Sequence, residues 1–384
     1  MLSSIVTTLT VLLIIVFLFS EGLSVFKESP LEGDNIIVLN HHNTVSHITS
    51  SDIKDIFDQN ITNWKSLGGS NDSIILFTFN DIGNYFSEEE LGPEFEFLPA
   101  KMDSLLESEN GMIAVFSSKY LIKNHKSKVI QADNITPYSF LTGKEWFPTA
   151  NPAVQLGVLP LILGTLYVSF VAIIFALPVG LATAIYMAEV ADEKTRRVFK
   201  PVIELLAGIP SVVYGFFGLI VIVPLIQSTF HLPVGETGLA GSIILGIMAL
   251  PTIITVSEDA LRNTPRSMKE ASLALGATRW QTIVRIVIPY SYSGISAAAI
   301  LGIGRAIGET MAVLMVTGNA AVIPHTLLEP VRTIPATIAA ELGEAPANGI
   351  HYKALFALGC ILFLITLTIN LWVEFSSKKR RFGK

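Results

Sequence analysis

Residues 270–276 read Glu-Ala-Ser-Leu-Ala-Leu-Gly, and nine residues later residues 286–289 read Ile-Val-Ile-Pro. The small residues suit a short helix over 267–275, and Gly276 suits the left-handed position that ends such a helix. A second short helix is predicted over 278–288, ending at Pro289. Two short helices at an angle form a knob that can lodge in a cleft of another protein.

Long runs without charge surround this knob and recur along the chain. They cover residues 1–20, 146–188, 205–235, 237–257, 286–304, 310–328 and 354–373. The sequence is 51% hydrophobic and 15% charged, with a mean hydropathy of +0.55, whereas soluble domains carry about a quarter charged residues. Because about 20 apolar residues cross a bilayer, we predict an all-α polytopic membrane protein. Six transmembrane helices are expected near 2–20, 157–188, 203–227, 239–260, 292–318 and 354–374.

Lys and Arg residues are concentrated in alternate connections between the predicted spans. They are frequent in loops 192–200 and 262–289 and in the tail 377–384, whereas 228–238 has none and 319–351 has only Arg332. By the positive-inside rule the basic loops are cytoplasmic, so both termini lie inside and segment 27–150 lies outside. The first 26 residues lack the basic start and cleavage site of a signal peptide, which favours a retained first transmembrane helix.

The knob resembles the EAA loop of ABC importer permeases, whose pattern is EAA, three residues, Gly, nine residues and I-x-L-P. Ser272 replaces the second Ala and Ile288 the Leu, and the spacing is intact. The resemblance implies a type I permease fold over 151–376 and an ATPase-docking surface within 267–289. Its expected contact residues are Glu270, Ala271, Ser272, Gly276, Ile286 and Pro289. An ordinary amphipathic loop is the alternative.

No nucleotide-binding loop accompanies the predicted docking surface. The nearest match, Gly143-Lys144, is followed by Glu145 instead of Ser or Thr. The chain is therefore expected to be a non-catalytic subunit, without cofactor or metal, whose ATPase is a separate protein. The single cysteine, Cys360, excludes an internal disulfide and a cysteine-based metal site.

Three further stretches, 204–215, 304–312 and 351–359, resemble phosphate-specific permeases, and the PstC subunit more than the PstA subunit. The resemblance covers about 220 residues (157–375). It implies inorganic phosphate as cargo and a place in the bacterial cytoplasmic membrane. The implied partners are a PstA-type second permease, a PstB-type ATPase dimer, a PstS-type phosphate-binding protein and the lipid bilayer, with no nucleic acid. A permease for sulfate or molybdate and a phosphate sensor are the alternatives.

Arg305 and Glu309 stand in mid-membrane, four residues apart on one face of the fifth predicted span. A lone Arg at a helix centre costs at least about 2.5–3.5 kcal/mol, so it should face the bundle interior and have a partner. Glu309 is one turn away and is the expected partner. The forked guanidinium suits dibasic phosphate, so we predict a role on the translocation path, with a structural lock between helices as the alternative. For the nearby Gly302, Gly304 and Gly308, helix packing is expected.

Segment 27–150 has a different composition, with nine Lys, no Arg and eighteen acidic residues. Strands are predicted at 35–40, 73–80, 112–117 and 128–132 and helices at 50–59 and 100–108, with Thr49 and Asp52 as a capping box. This indicates a small extracytoplasmic α/β domain inserted between spans 1 and 2. Residues 48–69 resemble one lobe of the phosphate-binding protein. In the phosphate-binding protein, an Arg in the corresponding turn holds phosphate. The turn at 77–83 has no Arg, so the domain is expected to keep the fold of the lobe without binding the ligand.

Overall fold

Strands and apolar helices occupy different parts of the chain in the computed structural model, which describes residues 2–31, 33–92, 94–123, 125–130 and 132–381. The last three residues of the predicted basic tail, 382–384, lie outside the described residues. The chain divides into two units. The first comprises Met1–Val158 with Pro346–Ala357, and the second comprises Leu159–Ala345 with Leu358–Lys384.

A four-stranded sheet forms the centre of the first unit, in the order β2-β3-β1-β4. Its strands are β1 Asn35–Leu39, β2 Ile75–Thr78, β3 Met112–Ser117 and β4 Lys128–Ile130, and a separate antiparallel pair is β5 Trp146–Phe147 with β6 Gln155–Leu156. β1 runs antiparallel to β3 and β4, and β2 runs parallel to β3. The helices of this unit are α1 Leu2–Ser24, α2 Ser50–Phe57, α3 Ile82–Tyr85, α4 Glu88–Leu91, α5 Leu98–Ser108 and α6 Pro137–Thr142.

Both faces of this sheet are covered, because successive residues of β1 and β3 point to opposite sides. Leu39 packs in one cluster with the fully buried Trp64, whose indole N–H donates to the Gly111 carbonyl at 2.9 Å. Val38 packs in the other cluster with Phe77. The four predicted strands and both predicted helices of segment 27–150 are present, with ends that differ from the predicted ones by at most two residues. Residue 131 of the predicted strand 128–132 lies outside the described residues. The capping box is also present: the Thr49 hydroxyl accepts from the Asp52 amide, and the Asp52 carboxylate accepts from the Thr49 amide.

The second unit is helical. Its helices are α7 Leu159–Ile185 with a π-helical turn Tyr186–Val190, α8 Glu193–Gly208, α9 Ser211–Phe217 with a π-helical turn Gly218–Ile222, α10 Val223–Phe230, α11 Gly238–Arg262, α12 Arg266–Ala274, α13 Arg279–Thr282 with a π-helical turn Ile283–Val287, α14 Ile288–Tyr290, α15 Tyr292–Gly308, α16 Met311–Val316 and α17 Ile334–Glu341. The last helix, α18 Ile350–Arg381, belongs to both units.

Five helices of the described residues are long and apolar enough to cross a membrane, and a bent pair supplies a sixth crossing if it is one span. The five are Ile5–Lys27, Leu159–Val190, Ser211–Phe230, Gly238–Arg262 and Ile350–Trp372, and the pair is Arg279–Tyr290 with Tyr292–Gly308, bent by 70°. The predicted third span, 203–227, was wrong at its start. Residues up to Gly208 form α8, and the extended Ile209 and Pro210 separate it from the helix that begins at Ser211.

The predicted fifth span, 292–318, was wrong as one continuous helix. α15 ends at Gly308, Glu309 has extended backbone angles, and α16 starts only at Met311. Three glycines in the last seven residues of α15 weaken the helix here, because glycine costs about 1 kcal/mol relative to alanine inside a helix.

The 70° elbow between α14 and α15 is held by the side chain of Ser291, which is buried. Its hydroxyl donates to the Ala260 carbonyl near the end of α11 at 2.9 Å and lies 3.1 Å from the Thr264 hydroxyl. Gly294 follows one turn later, where an added Cβ would lie 2.3 Å from the Ala260 Cβ. The elbow is therefore fitted closely against the end of α11.

Candidate functional site

Arg305 lies near the end of α15 and is half-buried. One guanidinium nitrogen, Nη1, donates to the hydroxyl of Thr252 on α11 at 3.3 Å. Among the described residues the guanidinium has no other hydrogen bond and no ion pair. The charge is therefore fixed by one neutral contact, and most of its donors stay available to an anion.

Glu309 does not provide the partner that its spacing predicted. The helix ends one residue before it, and its φ and ψ of −73° and 133° carry the chain away from the helical face. No ion pair joins Glu309 to Arg305 in the described part of the chain. The predicted pair is therefore wrong, because it required an unbroken helix from 305 to 309.

Two residues that the sequence analysis did not single out as site residues lie close to Arg305. Thr252 accepts the hydrogen bond described above, and Tyr214 on α9 is close enough for an electrostatic interaction with the guanidinium. The Tyr214 side chain is buried, and its hydroxyl donates to the Leu206 carbonyl at 2.8 Å. Both residues occur in long runs without charge, where sequence spacing gives no sign of a contact between helices.

The three glycines of α15 do not share one role. A Cβ on Gly302 would lie 2.9 Å from the Ile253 side chain on α11, which confirms close packing there. A Cβ on Gly304 or Gly308 would meet no atom of the described chain within 4 Å. The packing prediction is therefore not met within this chain at those two positions, and the surface around Arg305 is open on that side.

The predicted knob is present as two short helices. α12 ends at Ala274, and Gly276 has a φ of +83°, which confirms the left-handed turn. Thr278 begins the second helix by accepting from the Gln281 amide. This second segment continues through the π-helical turn to Tyr290, so its predicted end at Pro289 was wrong by a residue. Pro289 fits inside it, because proline is tolerated in the first turn of the following short helix α14.

The tip of the knob exposes large apolar side chains. Leu275 is 89% exposed and Trp280 is 65% exposed. Of the predicted docking residues, Glu270, Ala271, Gly276 and Pro289 are exposed and Ser272 and Ile286 are half-buried. Within the described chain Glu270 has no hydrogen-bond or ion-pair partner. An exposed apolar tip beside an unpaired carboxylate is a surface suited to another protein.

Two contacts attach α12 to the rest of the second unit. The Ser272 and Thr282 hydroxyls lie 2.9 Å apart and join α12 to α13. The Lys269 ammonium pairs with the Glu189 carboxylate in the π-helical turn after α7, with side chains 22% and 12% exposed. The knob is thus fixed to the end of a membrane helix by a largely buried ion pair.

A second ion cluster lies at the end of α11. Glu258 is 2% exposed and lies 3.5 Å from Arg262 and 3.9 Å from Arg196 of α8. Arg196 also donates to the Met187 carbonyl at 2.7 Å. Glu258 therefore joins α8 to the end of α11 as a buried carboxylate. The hydrogen bonds from Thr195 lower the pKa of Asp192, the N-cap of α8.

The turn at 77–83 in the first unit is closed by its own aspartate. The Asp81 carboxylate accepts from the Thr78 amide and hydroxyl at 2.8 and 2.7 Å, so it caps its own short helix. A cavity of about 540 Å³ opens beside it, lined also by Lys119. That ammonium lies 4.7 Å from the centre of the Tyr120 ring. Sequence reasoning missed Lys119 because the parallel pairing of β2 with β3 brings it there.

Apolar helices long enough to cross a membrane, an exposed two-helix knob and a half-buried cation near the end of α15 are typical of the membrane-embedded subunits of transport systems. The family described as "Binding-protein-dependent transport system inner membrane component" matches residues 176–382, and the chain belongs to this family.

Several known proteins are similar to this chain. A probable ABC transporter permease, YqgH of Bacillus subtilis, is 39% identical over 249 residues, covering 65% of this chain and 80% of the relative. The phosphate transport system permease PstC of Mesorhizobium japonicum is 40% identical over 258 residues, covering 62% and 78%. Among solved structures, the MetNI methionine ABC transporter aligns with a TM-score of 0.46 and 19% identity, over 57% of this chain and 94% of that one.

Proposed function

We propose that the chain is the permease subunit of an ABC importer that moves inorganic phosphate across the cytoplasmic membrane. The observation that carries the assignment of cargo is Arg305, a charged fork in an apolar bundle whose only hydrogen bond among the described residues is to a neutral hydroxyl. The similarity of the chain to phosphate permeases supports the same cargo. Phosphate is a dianion that accepts paired hydrogen bonds from a guanidinium.

Arg305 binds phosphate transiently during passage. The contact to Thr252 orients the fork without neutralising it. The open faces of Gly304 and Gly308 leave room for the anion or for a second permease subunit beside Arg305. Glu309, in the break that follows, acts as a fixed negative charge that hastens release, since passage requires weak binding.

The knob at 267–289 receives the movement of a separate ATPase. Leu275 and Trp280 enter a cleft of that subunit, and Glu270 fixes their register. Lys269 and Glu189 then pass the displacement to the end of α7. The complete transporter contains this chain, a PstA-type second permease, a PstB-type ATPase dimer and a PstS-type binding protein. The basic loops face the cytoplasm.

The extracytoplasmic domain docks or gates the separate binding protein and does not itself capture phosphate. Its sheet and capped helices retain a lobe-like pattern, whereas the turn at 77–83 is closed by its own Asp81. A neutral insertion is the competing interpretation. Unchanged uptake at low phosphate after deletion of 30–140 would favour the neutral insertion.

Uptake of radiolabelled phosphate tests the function. The chain is expressed in a strain without its own phosphate permease, together with the partner subunits that we expect its neighbouring genes to encode. The proposal is supported if excess unlabelled phosphate suppresses the uptake and excess sulfate or molybdate does not. Competition by sulfate or molybdate would assign a different cargo. A phosphate-dependent signal without uptake would make the chain a sensor.

A further inference from the structure

Helix α8 connects two consecutive membrane spans, and both of its ends lie at the same face of the membrane. The preceding span ends at Val190 and the following one begins at Ser211, so two residues separate α8 from each. Both junctions belong to one connection between consecutive spans and therefore lie at the same face. A 16-residue helix in that position must lie close to the membrane–water boundary.

One side of α8 is bound to the protein. Arg196 points inward to the Met187 carbonyl and to the buried Glu258, and Ile203, two turns on, is buried. These positions are seven residues apart, which places them on one face of a helix. This face therefore packs against the second unit.

A different side of α8 exposes a continuous apolar stripe. Val198, Val202 and Leu205 follow the three- and four-residue spacing of one helical face, with Leu205 72% exposed. Phe199 and Leu206 widen the stripe and are also exposed. No contact within the described chain covers these side chains, so another component must remove them from water.

Two features point to lipid as that component. Exposed apolar and aromatic residues continue beyond both ends of α8, with Tyr186 and Val190 on one side and Val212 and Val213 on the other. The helix also carries four basic residues against two acidic ones. Its Lys194 and Arg197 are exposed and have no ion-pair partner among the described residues. Apolar stripes flanked by unpaired cations are typical of helices that lie in the headgroup layer.

We propose that α8 is an interfacial helix whose apolar stripe enters the acyl layer while Lys194 and Arg197 bind the headgroups of anionic phospholipids. The alternative occupant is the second permease subunit, which would cover the same stripe with protein. The proposal concerns the lipid contact of α8 and does not depend on which anion is transported.

Spin labels on the assembled transporter distinguish these occupants. In a Cys360→Ser background, which removes the only cysteine, single cysteines at 198, 202 and 205 carry the label, and one at the exposed Glu204 serves as the control. The complex is placed in nanodiscs of phosphatidylcholine with added phosphatidylglycerol. Collision rates are measured with oxygen, which concentrates in lipid, and with a water-soluble nickel chelate.

High oxygen and low nickel accessibility at the three stripe positions, reversed at 204, is the expected result. Low accessibility to both reagents at the stripe would show that protein covers it and would overturn the proposal. High nickel accessibility at the stripe would place it in water and would overturn it equally.

The headgroup contact is measured separately by native mass spectrometry of bound lipid. Lys194→Gln and Arg197→Gln should each lower the affinity for phosphatidylglycerol about fivefold and leave phosphatidylcholine unchanged. Arg279→Gln, at an exposed arginine on the knob, is the matched control and should have no effect on lipid. Unchanged phosphatidylglycerol binding in the double variant would overturn the assignment of Lys194 and Arg197.

Discussion

Replacing Arg305 by Gln should abolish phosphate transport while leaving the chain folded. Within the part of the chain that the structure describes, the wild-type guanidinium makes one hydrogen bond, to Thr252 at 3.3 Å, and its remaining donors are available to the anion. A hydrogen bond to a charged group is worth about 1.5–3 kcal/mol. Losing a paired contact to phosphate thus removes about 3–6 kcal/mol of interaction free energy with the anion. Phosphate uptake should therefore fall roughly a hundredfold to ten-thousandfold.

Two further substitutions separate charge from geometry. Arg305→Lys keeps the charge and loses the fork, so uptake should fall about tenfold to a hundredfold, by one charged hydrogen bond. Thr252→Val removes the one hydrogen bond that orients the guanidinium, which is long at 3.3 Å, and leaves the donors to the anion in place, so uptake should fall about tenfold at most. Thr255→Val, on the same helix one turn away, is the control for a lost hydroxyl.

Uptake of radiolabelled phosphate is measured at equal membrane levels of each variant, determined by immunoblot, with ATPase activity recorded in parallel. The expected order of uptake is wild type, Thr252→Val, Arg305→Lys and Arg305→Gln. Wild-type uptake in Arg305→Gln at normal membrane levels would refute a place on the path. Loss of the protein from the membrane in the same variant would instead make Arg305 a structural lock.

Three other regions give further tests. Gly276→Trp places a bulky residue at a left-handed backbone position, and Glu270→Lys reverses an exposed charge. Both substitutions should abolish uptake while membrane insertion persists. Normal uptake by the assembled complex would reject the docking surface. Glu189→Lys and Lys269→Glu should each reduce uptake about fivefold to a hundredfold, since a largely buried pair is worth about 1–3 kcal/mol. The double swap should restore most of the uptake, and additive losses would show that the pair is not coupled. The fragment 27–150 should fold alone, as circular dichroism would report. It should give no calorimetric heat with phosphate, and a dissociation constant at or below about 10 µM would contradict this.

Features set by neighbouring residues could be predicted from the sequence. The capping box at Thr49, the left-handed Gly276 and the strands of the first unit all depend on a few adjacent side chains, and all are present. Hydropathy likewise located most membrane helices, because composition alone sets whether a segment suits the bilayer.

Contacts between distant elements could not be predicted. Thr252 and Arg305 meet because α11 packs on α15, and Lys269 meets Glu189 across 80 residues of chain. The supposed pair of Arg305 with Glu309 failed for a different reason. Four-residue spacing implies a shared face only while the helix continues, and glycine-rich α15 stops at Gly308.

The elbow at Ser291 decides what kind of motion the spans can make. A corner whose serine hydroxyl bonds Ala260, with Gly294 pressed against the same alanine, cannot open as a hinge without breaking buried contacts. Packed interfaces of this kind shift as rigid bodies and do not deform gradually. A force on the knob would therefore rotate the knob and α15 together about their contact with the end of α11. Because Arg305 lies at the opposite end of α15 from the elbow, this rotation would displace it sideways.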